Sequence, residues 1–234
     1  ERGTPLAVMD SMEITSLRTG AATAVAARYL ARADARSAAI IGCGVQGRVQ
    51  LRAVSRVRPL ERVYLYDRDR GRAEKMARAM ARSLKADVTV ATDPRAAARR
   101  SDIVVTCTSA QEPLLAAGDV MAGTFVAGVG ADHPEKNELA PGLLAVSRVV
   151  VDVLEQAATI GDLHHALAAG AMTKAEVAAE LGAIVAGRVP GRTTAEQTFV
   201  FDSTGMALQD VAAAVVVYER ARAARRGVKV RLGK

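Results

Sequence analysis

Three glycines in the stretch "SAAIIGCGVQGRVQL" (residues 37–51) stand at the spacing G-x-G-x-x-G, as Gly42, Gly44 and Gly47. An apolar run suited to a buried strand leads into them, and a helical pattern leaves them. Glycine at 42 and 44 permits a tight turn and a close approach of backbone to a phosphate; Gly47 lets the helix lie close on the strand. The N–H groups opening that helix are free donors for an anion. Asp67 ends the next strand pattern, 20 residues past Gly47. There a carboxylate can accept hydrogen bonds from an adenosine ribose. It would also repel a 2′-phosphate, so NAD is expected rather than NADP, although Arg68 and Arg70 could flank such a phosphate. The alternative is that the glycines only punctuate a turn.

Two charged residues raise a second chemistry. Arg18 lies in a helical pattern whose neighbours at three and four residues are Ile14, Ala21 and Ala22, with Val25 a turn further on. A guanidinium on a face of small and apolar groups needs an anionic partner. That partner is either a carboxylate of the protein or the carboxylate of a substrate gripped by the guanidinium fork. Asp132 falls just past a strand pattern, at the carboxyl end where open α/β sheets bind ligands. It could take a proton from an amine or orient water onto an imine. Its plainer role is to cap the turn into a helix over "EKNELA". His133 beside it reads as a solvated loop residue, and His164 and His165 as helix surface.

The elements that would position these groups alternate along the chain. Residues 12–33 read as an Ala-rich helix. Strands are expected over 38–42, 62–67, 87–92, 102–108, 124–130 and 148–152, with helices over 45–57 and 68–84 and a short one near 94–100. The strands are unbroken apolar runs, as buried parallel strands should be. The pattern predicts a Rossmann-type, doubly wound α/β fold. After Asp152 come short helical pieces, an extended "TFVFDST" and a long helix from Met206 to about Arg225. That strand and helix are expected to pack elsewhere, beside the first helix. Three segments follow: 1–33, a helix of a substrate and dimerisation domain; 34–200, the NAD-binding domain; and 201–234, a return strand and helix packing with the first segment.

The 234 residues are half hydrophobic but only 3% aromatic, with no Trp, which suits Ala, Val, Leu and Ile packing. The net charge is +7, with its densest group in "ERARAARRGVKVRLGK" at the C-terminus. A single-strand nucleic-acid binder would interleave aromatics among its basic residues, and these are missing; neither nucleic acid nor membrane is expected as a partner. Two isolated cysteines, Cys43 and Cys107, suggest a reducing, cytoplasmic setting. The histidines and cysteines show no metal-ligand spacing.

Five collinear motifs, "SLRTGAATAVAARYLA", "IIGCGVQGRVQL", "DIVVTCTSAQEPLL", "VAGVGADHPEKNEL" and "FVFDSTGMALQDVAAAVVVYERA", resemble the ornithine cyclodeaminase / mu-crystallin family. The resemblance implies that Arg18 binds a substrate carboxylate and that Thr19 touches the cofactor phosphates. It puts Val45 and Gln46 at the pyrophosphate and Thr108 and Ser109 on the adenosine or ribose side. Val129, Gly130 and Ala131 would lie beneath the nicotinamide ribose. Asp132 would be the proton acceptor or water activator, Lys136 would stand close to the cofactor, and Ser203 and Thr204 would approach nicotinamide and substrate. Glu135 departs from the pattern, where glycine is usual, so the loop carrying Lys136 is expected to differ in shape.

The resemblance also implies a segment preceding the first helix that supplies a substrate-pocket lysine and part of a dimer interface. This sequence has no lysine before Lys75. It is therefore expected to be a fragment, to be completed by a partner chain, or to have kept nucleotide binding without catalysis. The leading expectation is an NAD-dependent oxidoreductase acting at Cα of a small α-amino or imino acid, as cyclodeaminase or dehydrogenase, in a homodimer. The alternative is a non-catalytic NAD(P)-binding relative.

Overall fold

The structure, a computed structural model, describes residues 5–230. The first four residues of the 1–33 segment and the last four of the basic C-terminal stretch lie outside the described residues. One parallel sheet of eight strands runs through the molecule in the order β3-β2-β1-β4-β5-β8-β6-β7. Its strands are β1 Ser37–Ile41, β2 Arg62–Tyr66, β3 Asp87–Val90, β4 Ile103–Thr106, β5 Phe125–Gly128, β6 Arg148–Val151, β7 Ala179–Glu180 and β8 Phe199–Asp202. The order reverses between β1 and β4, so the crevice of a doubly wound fold opens above their carboxyl ends. β1, β4, β5 and β8 are buried throughout, which explains their continuous apolar runs.

The expected strand near residue 200 forms, but not in a separate substrate or dimerisation domain. β8 pairs with both β5 and β6, deep in the same sheet. Its three apolar residues, Phe199, Val200 and Phe201, are at most 1% exposed, a burial only an interior strand position provides. α9 (Ala207–Ala223) lies beside α1 (Met12–Leu30): the Asp210 carboxylate accepts from Thr15 Oγ1 at 3.1 Å and Arg18 Nε at 3.2 Å.

α1 in turn crosses α2 (Val45–Val54) at close range. A Cβ on Gly20 would come within 2.7 Å of Val49 Cγ1, so glycine sets that approach. α3 (Arg70–Ala81) and α4 (Pro94–Arg99) start at Asp69 and Asp93, whose carboxylates accept from the first-turn N–H groups. α5 (Pro141–Ala145), α6 (Leu154–Ile160), α7 (Asp162–Ala168) and α8 (Leu181–Val185) are short. The expected helix over "EKNELA" does not form. Residues 132–140 are a loop, because Glu138 turns fully inward and Leu139 bridges to Leu115.

Candidate functional site

The glycine turn sits at the carboxyl end of β1. Gly42 has φ +103°, a backbone shape that L side chains rarely adopt, and a Cβ there would meet Cys107 O at 2.6 Å. A Cβ on Gly47 would collide with the Gly42 carbonyl oxygen. Gly44 is different: an ideal Cβ meets nothing within 4 Å, and the residue is exposed. Gly42 and Gly47 are thus required by packing, whereas Gly44 faces open space. Gly44 is the N-cap of α2 and offers no side-chain cap. The N–H groups of Val45 and Gln46 begin the helix, and Val45 is exposed although apolar. Gln46 Oε1 is buried without a hydrogen-bond partner. Open space and uncapped backbone donors fit a bound pyrophosphate.

Asp67 follows β2, as expected, and is half-buried. Its Oδ2 accepts from Cys43 N at 2.8 Å and its Oδ1 from Asp69 N at 2.9 Å, which ties it to the glycine turn. Arg70 pairs with Glu74 and Arg72 with Asp69, leaving Arg68 as the exposed cation next to Asp67. Both thiols nearby are free, and burial pushes Cys43 up to about 12, with the Asp67 charge adding to it. Cys43 is therefore a neutral thiol and no nucleophile.

Across the crevice, Thr108 is held by Glu138, and Ser109 is exposed beyond it. Val129, Gly130 and Ala131 are buried, and a Cβ on Gly130 would strike Thr108 O. These two turns touch each other. Asp132 is exposed and paired with Lys136 Nζ at 2.5 Å, so the expected cofactor lysine is engaged with the expected catalytic acid. His165 is not plain helix surface: its Nε2 lies 2.9 Å from Lys136 O and braces the same loop.

Arg18 resolves its two alternatives in part. Its Nε donates to Asp210 at 3.2 Å and its Nη1 to Gln209 Oε1 at 3.1 Å, so a protein carboxylate is present. Among the described residues its Nη2 makes no hydrogen bond. Arg18 also lines a cavity of about 760 Å³ between α1, α8 and α9, with Asp152, Glu180, Met206 and Gln209 on its walls. Asp132 is not among the lining residues. Thr19 is buried and donates its hydroxyl to Thr15 O at 2.7 Å, inside the helix.

The turn after β8 links the two halves. Ser203 N donates to Gly128 O at 2.9 Å, and Ser203 Oγ is buried without a partner. Thr204 Oγ1 donates to Asp152 Oδ1 at 2.9 Å, and Gly205 N donates to Asp152 Oδ2 at 2.5 Å. Gln156 Nε2 donates to Thr204 Oγ1 and to Gly205 O. A Cβ on Gly205 would meet Arg18 Nη1 at 2.5 Å, so the guanidinium rests on this turn.

Sequence reasoning missed a row of acids below the crevice. Glu138, Asp162 and Asp202 are fully buried and Asp152 nearly so. Asp162 Oδ1 accepts from Glu138 N and Leu139 N, and its Oδ2 has no partner. Asp202 accepts from Asp162 N and Leu163 N at the start of α7. Glycines make the room: a Cβ on Gly128 would meet Asp162 Oδ2 at 2.8 Å, and one on Gly161 would strike Asp202. Burial pushes Glu138 up, Asp162 well up and Asp202 up to about 7. The only sequence signal was the acid ending two strand patterns, at Asp152 and Asp202. Among the described residues, no group of three or more His, Cys, Asp or Glu is arranged to hold a metal ion. Among the described residues, no helix is long and apolar enough to cross a membrane.

An eight-stranded parallel sheet with a glycine turn at its switch point defines a dinucleotide-binding class of protein. The chain belongs to the ornithine cyclodeaminase/mu-crystallin family, whose model matches residues 1–225. The alanine dehydrogenase of Archaeoglobus fulgidus is 41% identical over 232 residues, which are 99% of this chain and 71% of that protein. The structure of Thermococcus litoralis Δ1-pyrroline-2-carboxylate reductase in complex with NADH and L-proline superposes with a TM-score of 0.95 at 36% identity, covering 98% of this chain and 71% of that one. A dimer of an archaeal alanine dehydrogenase with bound NAD gives a TM-score of 0.95 at 40% identity, covering 99% and 72%.

Proposed function

We propose that this chain is an NAD-dependent oxidoreductase acting at Cα of a small α-amino or imino acid. The observation that carries the reading is the junction of the two halves. The turn after β8 hydrogen-bonds to the end of β5 and carries Arg18 on its other side. An anion-binding guanidinium thus stands next to the strand ends that would receive a dinucleotide. Relatives named for alanine oxidation, for pyrroline-carboxylate reduction and for binding NAD or NADH fit that arrangement.

In this reading Gly42, Gly44, Gly47, Val45 and Gln46 hold the pyrophosphate, and Asp67 with Arg68 borders the adenosine ribose. Thr19, Thr108, Ser109, Val129, Gly130, Ala131, Lys136 and Ser203 complete the cofactor side. When bound, NAD would supply a hydride acceptor, and NADH a hydride donor, for chemistry at the substrate Cα. Arg18 fixes the substrate carboxylate through its open Nη2, with Thr204 beside it. Asp132 accepts a proton from the amine or orients water onto the imine; to do so it must leave Lys136. Whether the product is a cyclic imino acid or a keto acid depends on what reaches the imine first: a side-chain amine of the substrate, which closes a ring, or water, which leaves a keto acid; in both the α-nitrogen departs as ammonia. The quaternary state proposed is a homodimer, as in the archaeal alanine dehydrogenase structure. Two free thiols suit a reducing compartment such as the cytoplasm.

The test is binding first and turnover second. Calorimetry with NADH, followed by L-alanine or L-proline into the NADH complex, should show both events. Arg18→Lys keeps the charge but cannot hold Asp210 and Gln209 and still offer a further N–H to the substrate. It should weaken the amino-acid step by about tenfold or more and leave the NADH step unchanged. Failure to bind NADH ends the proposal. NADH binding with no amino-acid step, and no NADH formed when NAD replaces NADH in the presence of L-alanine or L-proline, favours a nucleotide-binding protein without catalysis.

A further inference from the structure

Glu138 has no role in the reading above. Its carboxylate is fully buried and collects four hydrogen bonds. Oε1 accepts from Thr108 N at 2.6 Å and Thr108 Oγ1 at 2.7 Å. Oε2 accepts from Thr106 Oγ1 and Gly130 N, both at 2.8 Å. These donors come from the ends of two adjacent strands, β4 and β5. The acceptor capacity of the carboxylate is used up within the protein, so it has none left for a ligand. Its own backbone is pinned as well: Glu138 N donates to Asp162 Oδ1 at 2.7 Å, and Glu138 O accepts from Leu114 N at 2.8 Å. Gly130 makes way for it, because a Cβ there would meet Glu138 Cδ at 2.6 Å.

A buried carboxylate with no cation against it is costly, and apolar side chains of similar volume would fill the space at lower cost. What apolar side chains would not do is hold the turn after β4 and the turn after β5 in one fixed relation. A carboxylate does this because it is an acceptor on both edges, and its two edges face the two turns.

We propose that Glu138 is a positioning residue for the cofactor: without touching it, Glu138 locks Thr108 and Gly130 in the relative placement that receives a dinucleotide. This rests on the NAD reading given above. Glu138→Gln keeps the shape but turns an NH2 group toward either the Gly130 N–H or the Thr108 N–H, so one turn must move. Thr106→Val is a milder change, removing one of the four donors from a fully buried position that no ligand reaches. Asp202→Asn is the control. Asp202 is as deeply buried and also ends a strand, but it holds the start of α7 and not the two turns.

The measurement is NADH affinity and stoichiometry by calorimetry, with thermal unfolding alongside. Glu138→Gln should raise the NADH Kd about tenfold at unchanged stoichiometry, and Thr106→Val about threefold. Asp202→Asn should move the unfolding temperature and leave the NADH Kd within about twofold, since it lies outside the two turns. An unchanged Kd in Glu138→Gln overturns the proposal. So does an equal weakening in Glu138→Gln and Asp202→Asn, which is the mark of general loosening. If Glu138→Gln does not fold, Thr106→Val decides, and an unchanged Kd there overturns it. A wild-type chain that binds no NADH removes the cofactor reading and this proposal together; wild-type binding with unmoved variants removes this proposal alone.

Discussion

The two ends of the sheet treat their carboxylates in opposite ways, half-buried Asp102 at one and fully buried acids at the other. At the amino end, Asp102 accepts from Arg32 Nη2 at 2.6 Å, from Arg36 N and Ser37 N at 2.9 Å and from Ser37 Oγ at 2.7 Å. Burial alone would raise it, but these hydrogen bonds and the Arg32 charge hold it below the usual carboxylate range. Arg58 and Arg192 cap backbone carbonyls in the same region. At the carboxyl end, Glu138, Asp162 and Asp202 are buried with no cation against them among the described residues, and all three are pushed up. There too Gln46, Asp162 and Ser203 each keep a buried oxygen without a partner. The Asp102 carboxylate at the amino end is satisfied by the protein itself. The carboxyl end is held open, which is how a site differs from a core.

The sharpest break of that contrast is Gly47→Ala at the open end. The added Cβ would collide with the Gly42 carbonyl, which is backbone and cannot swing aside. The turn must deform, and NADH binding should fall more than a hundredfold, with an overpacking cost of about 1–3 kcal/mol in stability. Calorimetry and thermal unfolding read the two effects separately. Binding within tenfold of wild type would mean that the turn does not hold the cofactor.

At the closed end the effects should be reversed. Asp102→Ala leaves Arg32 Nη2 and two backbone N–H groups without their acceptor, while Arg32 Nε keeps Asp34. The loss should be about 3 kcal/mol, and the unfolding temperature should drop by roughly 6–12 °C. The NADH Kd of the folded protein should not move. A variant that binds NADH more weakly at full stoichiometry would show that the two ends are not independent.

How much of this was legible in the sequence follows from what each feature needs. The strands could be read because burial on both faces leaves an apolar run with no gaps. The glycine turn could be read because the spacing itself encodes the geometry: Gly42 and Gly47 are fixed by contacts one turn apart. The placement of β8 could not. Its composition said strand, but its neighbours, β5 and β6, are set by the path of a chain some 50 to 70 residues earlier. β7 is two residues long and leaves no pattern. The acid row was invisible because positions 138, 152, 162 and 202 look alike as loop or strand-end acids until the sheet aligns them. "EKNELA" has a helical composition, yet the inward turn of Glu138 outweighs propensity. Arg18 was left between two partners by sequence, and the structure provides one, Asp210, while leaving Nη2 open.

The smallest effect tests the acid row without any ligand. Asp202 titrates near 7 when folded, against about 3.9 for an unperturbed aspartate in the unfolded chain. Between those values the folded protein binds more protons than the unfolded one, so stability falls as pH rises through the window from about 4 to about 7. Asp162 is pushed the same way by burial and by its acidic neighbours, and Glu138 by burial, so they add to the slope. Asp102 has the opposite sign, but its lowered value confines its titration to more acidic conditions. Thermal unfolding should therefore shift down by a few degrees, about 3 °C or more, between pH 5 and pH 8. Asp202→Asn should flatten that slope, because a neutral amide loses no proton. An unfolding temperature that instead climbs between pH 5 and pH 8, in wild type and variant alike, would mean that the row is ionised throughout, and the carboxyl end would then be electrostatically no different from the Asp102 end.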